Sequence, residues 1–122
     1  MERLSEYHGW VVMVARLDWA DDDWDRARLQ VAEAISPFSP EDGHCIQFAE
    51  EHLNPRPTVL FSGCAHGIEA VLQLVSFIGR VFPDSYGELV VLDDADDAWS
   101  VSAARRYRLE SGVCSKYESP NA

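Results

Sequence analysis

Apolar residues recur along the chain with two periods, and the alternation between them predicts the order of elements. The first run, Tyr7 to Leu17, sets Trp10, Val12 and Val14 against Val11, Met13 and Ala15. Its β-branched and aromatic content, apolar on both faces, predicts a central strand. A polar, acidic stretch follows. Trp24, Ala27, Val31, Ala34 and Ile35 then recur at helical spacing, which predicts a helix from about Trp24 to Ile35. Asp22 or Asp23 is suited to cap it, Asp25 sits in its first turn, and Pro37 and Pro40 end it. His44 to Ala49 reads as a short strand with Ile46 and Phe48 on one side. Asn54-Pro55-Arg56-Pro57 is a turn, and Thr58 to Cys64 is the next strand.

The most apolar helix pattern covers Gly67 to Phe82. Ile68, Val71, Leu72, Val75, Ile78 and Phe82 define its inner face, widened by Leu74, Phe77 and Val81. Leu89 to Leu92 is a third buried strand. The acids after it form a hairpin loop, and Trp99 to Leu109 is a last strand by its alternation. The order is βαββαββ, an α+β fold in which two helices pack on one face of an antiparallel sheet. The first six elements make two split βαβ units, compatible with a ferredoxin-like topology extended by one strand. All 122 residues read as a single domain, 1–122, with 115–122 as a loose C-terminal tail.

Charge changes this picture more than composition does. Apolar and charged fractions of 47% and 25% are ordinary for a globular protein, but 21 acids against 10 bases leave a net charge of −11. Such a surface is unsuited to phosphates or to an anionic membrane, so neither nucleic acid nor membrane is expected as a partner. The acids are clumped. One clump is Asp18, Asp21, Asp22, Asp23 and Asp25, with Trp19 and Trp24 among them; the other is Asp93, Asp94, Asp96 and Asp97, followed by Trp99. Consecutive like charges repel and cost stability, and aromatic rings are favoured as binding anchors. Asp18, Trp19, Asp21, Asp22 and Asp23, with Asp93, Asp94, Asp96 and Asp97, are therefore the candidate partner-binding residues. Trp24 has the spacing of a core residue; Trp19, in the loop, is the candidate exposed anchor. In a ferredoxin-like sheet the first and fourth strands are expected at opposite edges, which would separate the clumps.

Catalytic and metal signals are weak. Cys64 and His66 share a strand face, yet no oxyanion loop or orienting third group accompanies them. The four histidines lie in four segments without metal-ligand spacing, and neither acidic clump has the glycine and terminal glutamate of a calcium loop. No catalytic residue, metal or cofactor is assigned. Three widely spaced cysteines form no CxxC, and the charged N-terminus has no apolar signal region, so a reduced, cytoplasmic protein is expected.

Two blocks carry a family resemblance. Glu6-Tyr7-His8-Gly9-Trp10 opening the first strand, the acidic segment before the first helix, and Ser85-Tyr86-Gly87 ahead of an apolar strand ending in Asp93-Asp94 resemble the immunity protein 7 family. The match is loosest at Val113-Cys114 and Ser119-Pro120. The resemblance implies an α+β fold without enzymatic activity. It also implies binding to the C-terminal domain of a cognate bacterial toxin, expected to be basic because many such toxins hold phosphates. It leaves open whether the motif residues are core or contact. The rival expectations are an acidic protein-interaction adaptor unrelated to toxins and a small Cys64-dependent enzyme.

Overall fold

The computed structural model describes residues 4–49, 57–93 and 104–117. In it, β1 (Leu4–Val12) leads through a loop to α1 (Asp21–Ile35), a 3-10 turn (Pro40–Asp42) and the hairpin of β2 (His44–Ala49) and β3 (Thr58–His66). Then come α2 (Glu69–Val81), β4 (Tyr86–Asp93), β5 (Arg105–Glu110) and β6 (Val113–Tyr117). Every strand pairing is antiparallel, and the six strands lie in the order β2-β3-β1-β4-β5-β6. The first four strands have the ferredoxin-like arrangement, and β5 and β6 extend the sheet beyond β4. The α+β class and the packing of both helices on one face are as the sequence predicts.

That arrangement corrects the expected separation of β1 and β4. They are neighbours, with Ser5 opposite Asp93 and Val12 opposite Tyr86. Because they run antiparallel, the acidic segments leave opposite ends of the pair. Seven residues of strand, about 24 Å, lie between those ends.

Strand alternation divides the residues cleanly. Tyr7, Val11, Val59, Phe61, Leu89, Val91 and Leu109 point to the helices and are buried. α2 meets them with Val71, Leu74, Val75 and Ile78, and α1 adds Ala27 and Val31. Phe82, at the end of α2, is fully buried between Trp19 and Trp24, with ring centroids 5.5 and 5.3 Å away. Glycines let the backbones close in. A Cβ on Gly79 of α2 would sit 2.4 Å from the carbonyl oxygen of Gly112 in the β5–β6 turn.

Several boundaries differ from the sequence reading. β1 stops at Val12 because β3 and β4 supply no partners beyond Thr58 and Tyr86; only the Met13 N–H continues, to the carbonyl of Pro57. α1 starts at Asp21, and its N-cap is Ala20, not Asp22 or Asp23. Asp23 instead acts from the third helical position, accepting the Ala20 N–H at 2.9 Å. The proposed last strand, Trp99 to Leu109, is β5 from Arg105; residues 94–103 lie outside the described residues. Ser115 to Tyr117, assigned to a loose tail, are part of β6. Ser111 and Gly112 make the reversal with φ of 49° and 77°, the positive pair that a two-residue hairpin turn of right-twisted strands requires.

Candidate functional site

The loop from Met13 to Ala20 and the first turn of α1 form an acidic projection at the end of β1. Its local structure follows from one turn and one helix end. The Trp19 N–H donates to the Arg16 carbonyl at 3.0 Å, which folds the chain back and throws Leu17 outward. Leu17 is fully exposed. Arg16 and Asp18 flank it, their side chains 3.3 Å apart and both open to water. Asp21, Asp22 and Asp25 are exposed on α1. Asp21, Asp22 and Asp23 form the first turn, where carboxylates complement the positive end of the helix dipole and offset part of their mutual repulsion; Asp25, expected there, lies beyond it because the helix starts earlier.

The same turn corrects the reading of Trp19. Its ring packs against Phe82, so it belongs to the edge of the core and is not an exposed anchor. Trp24 does the same from α1, as its spacing predicts. Sequence reasoning overlooked Leu17. The strand alternation carried through Leu17 put it in phase with Val11, Met13 and Ala15; its signal was a large apolar residue set between the charged Arg16 and Asp18.

Asp93 is the member of its clump that lies among the described residues. Its Oδ1 accepts from the Ser5 hydroxyl at 2.7 Å and from Arg105 Nη2 at 2.8 Å, and its Oδ2 accepts from Arg105 Nε at 2.9 Å. Arg105 also reaches the Tyr107 hydroxyl at 3.2 Å. Burial acts to lower the Arg105 pKa, but the bond to Asp93 together with Tyr107 outweighs it, and the net shift is upward. Asp93 is therefore committed to an internal ion pair at the wall of a cavity of about 670 Å³, shared with His66, Glu69 and Gln73. Asp94, Asp96 and Asp97 lie outside the described residues.

The motif residues divide between the two faces of the sheet. Tyr7 points inward, its hydroxyl hydrogen-bonded to His44 Nδ1 at 2.6 Å with Phe38 edge-on to the imidazole. Burial, with smaller effects from Cys45 and Cys64, pushes the Tyr7 phenol up to about 12. Ser85 is fully buried, and its N–H donates to the Phe82 carbonyl. Gly9 and Gly87 lie against the facing strand of the β1–β4 pair; a Cβ on either would fall 2.2 or 2.1 Å from a carbonyl oxygen of that strand.

Glu6, His8, Trp10 and Tyr86 occupy the opposite face, which neither described helix covers. Glu6 and His8 are joined at 2.6 Å, and Tyr86 lies edge-on to Trp10. Trp10 and Leu60, cross-strand partners, are 39% and 45% exposed there. Cys64 is half-buried on this face beside Glu6. Among the described residues, no three His, Cys, Asp or Glu side chains come together as a metal-ligand set. No helix among them is long and apolar enough to cross a membrane.

No protein-family model matches the chain, and no curated protein matches it. Among solved structures it is similar to the de novo designed protein Foldit4, at 14% identity and a TM-score of 0.42, covering 71% of this chain and 94% of that one.

Proposed function

We propose that the protein is a cytoplasmic immunity protein that neutralises a basic bacterial toxin domain by binding it, without catalysis of its own. The observation that carries this reading is Leu17, fully exposed beside Asp18 and close in sequence to the exposed Asp21 and Asp22 of α1. An apolar tip rimmed by carboxylates matches the layout of an interface hot spot. The apolar group buries area at the centre, and the charges around it steer a cationic partner in and fix its orientation. A net charge of −11 adds long-range attraction toward such a partner. The resemblance of Glu6–Trp10 and Ser85–Gly87 to the immunity protein 7 family supplies the biological setting. In this reading Asp93 serves the fold, and the contact lies on the Met13–Asp25 segment.

Co-expression with the C-terminal domain of a toxin encoded next to this gene tests the proposal. Growth is expected to be rescued. Purified protein carrying Leu17→Ala with Asp18→Asn, Asp21→Asn and Asp22→Asn is expected to capture that domain more slowly, with a weaker dependence on salt. Asp23 is left in place because its carboxylate caps α1. Absence of rescue would refute the function. Rescue with unchanged association kinetics would remove the Met13–Asp25 segment from the interface.

A further inference from the structure

The face of the sheet turned away from α1 and α2 differs in character from the rest of the described surface. In the described strands it carries Trp10, Leu60, Tyr86, Val90, Leu92, Val113 and Tyr117 by alternation. Of the five exposed large apolar side chains among the described residues, three, Trp10, Leu60 and Val113, lie on it. Its charged groups nearly cancel: Glu6, Glu88 and Glu110 face Arg106 and Arg108, whereas the chain as a whole stands at −11. Arg108 is already engaged on the face itself, 3.7 Å from Glu88 and 4.3 Å above the Tyr117 ring.

We propose that this face is a dimerisation surface and that its occupant is a second copy of the same chain. Two molecules of charge −11 repel wherever their acidic surfaces meet, so close approach is favoured where the charge vanishes. The layout also suits an isologous contact, in which one patch must complement itself. A two-fold axis along the strands between β1 and β4 sets β1 over the partner's β4, and β3 over the partner's β5. Trp10 and Val90 then fall at the centre, over the partner's Glu88 and His8 positions. Arg106 falls over the partner's Ser62 position and Arg108 over its Leu60 position, not over each other. Glu6 falls over the apolar Leu92 position. Six strands span about 24 Å between outer axes and β1 is paired over a similar length, giving on the order of 600 Å² of flat face before side-chain relief is counted. That approaches the roughly 800 Å² per partner of a standard interface. The helices lie on the other side of the sheet, so the acidic turn at Leu17 stays open in the dimer. This inference stands independently of the toxin-binding reading.

Sedimentation equilibrium of the full chain tests it. The wild type is expected to run at twice its 13.7 kDa mass at tens of micromolar. The dimer is expected to tighten when salt is raised from 0.05 to 0.5 M, because screening relieves the repulsion of two acidic bodies. Leu60→Glu, at a side chain already half open to water, is expected to weaken association at least tenfold and give the monomer mass. Leu29→Glu, exposed on α1, is expected to leave the dimer intact. Circular dichroism matching the wild type confirms that both variants are folded, and Val90→Glu repeats the test at a second position should Leu60→Glu not fold. A monomer at every loading would overturn the proposal, as would a dimer that a folded Leu60→Glu or Val90→Glu variant retains, or one that Leu29→Glu abolishes.

Discussion

The ring of Tyr86 stands edge-on against that of Trp10, with centroids 6.0 Å apart and planes at 85°. The two residues are 76 positions apart in sequence. They meet because β1 and β4 are antiparallel neighbours in a register that sets Val12 opposite Tyr86 and Trp10 opposite Glu88. Tyr86 reaches diagonally along the face to Trp10, a contact within range of aromatic side chains. The two motif blocks thus form one structural unit, pinning the end of the central strand pair from which the acidic loop departs.

A double-mutant cycle should detect that unit. Trp10→Ala and Tyr86→Ala are each expected to destabilise the protein by about 1–2 kcal/mol, since both side chains are partly open to water. The pair is expected to couple by about 0.5–1.5 kcal/mol, the range for edge-to-face rings. Urea unfolding of the four proteins measures it. Strict additivity would mean that the two rings touch without interacting.

A second expectation concerns the approach of α2 to the β5–β6 turn. Gly79→Ala adds a methyl 2.4 Å from the Gly112 carbonyl oxygen and 2.9 Å from a Leu109 methyl. Alanine ordinarily stabilises a helix interior by about 1 kcal/mol over glycine. Here the obstacle is backbone, which cannot rotate away, so the overpacking cost of about 1–3 kcal/mol or more is expected to win. The variant should unfold at lower urea than the wild type. A stabilised variant would show that the turn can move outward at little cost.

The elements that the sequence made legible are those whose pattern is decided locally. Of the inner face read along α2 and its two ends, Ile68, Val71, Val75, Ile78 and Phe82 are buried, as is Leu74 from its widened edge, while Leu72 is only partly buried. β2 and β3 fall close to their expected bounds because prolines and glycines delimit them. β1 was placed too late in the chain because Met13, Val14 and Leu17 prolong its apolar run, while the strand itself ends where its neighbours end. That limit is set by pairing and has no local trace. β6 did leave a trace in Ser111-Gly112, a hairpin signal between Leu109 and Val113 that composition alone masks.

At the candidate site, the acids were legible and the aromatic anchor was not. Trp19 and Leu17 are two residues apart in an irregular loop, where the strand alternation extended to Leu17 no longer applies. A single backbone hydrogen bond, from Trp19 to Arg16, decides which turns inward. Likewise, Asp93 reads as one of four clustered acids, and only the β1–β4 register reveals that Ser5 and Arg105 hold it.

The inward-facing Tyr7 gives a dependence of stability on pH that can be worked through in sign. Its phenol is fully buried and its pKa is pushed up to about 12, against an ordinary value of 10.0, chiefly by burial. The folded state therefore holds the neutral form more tightly than the unfolded chain does. Below pH 10 both states carry the proton and the full contribution is present. Between 10 and about 12 the unfolded chain has released its proton while the folded protein has not, so stability falls as pH rises. Two pH units of separation correspond to a loss on the order of 2 kcal/mol across that window. The test is a difference between two proteins that differ only at this hydroxyl. Tyr7→Phe is expected to be less stable than the wild type at pH 8, where the hydroxyl's bond to His44 is lost, and the gap is expected to narrow steadily toward pH 12. Urea midpoints of the two proteins at intervals through this range provide the comparison. A gap that stays constant would mean that the phenol ionises alike in both states, so that burial does not hold its proton.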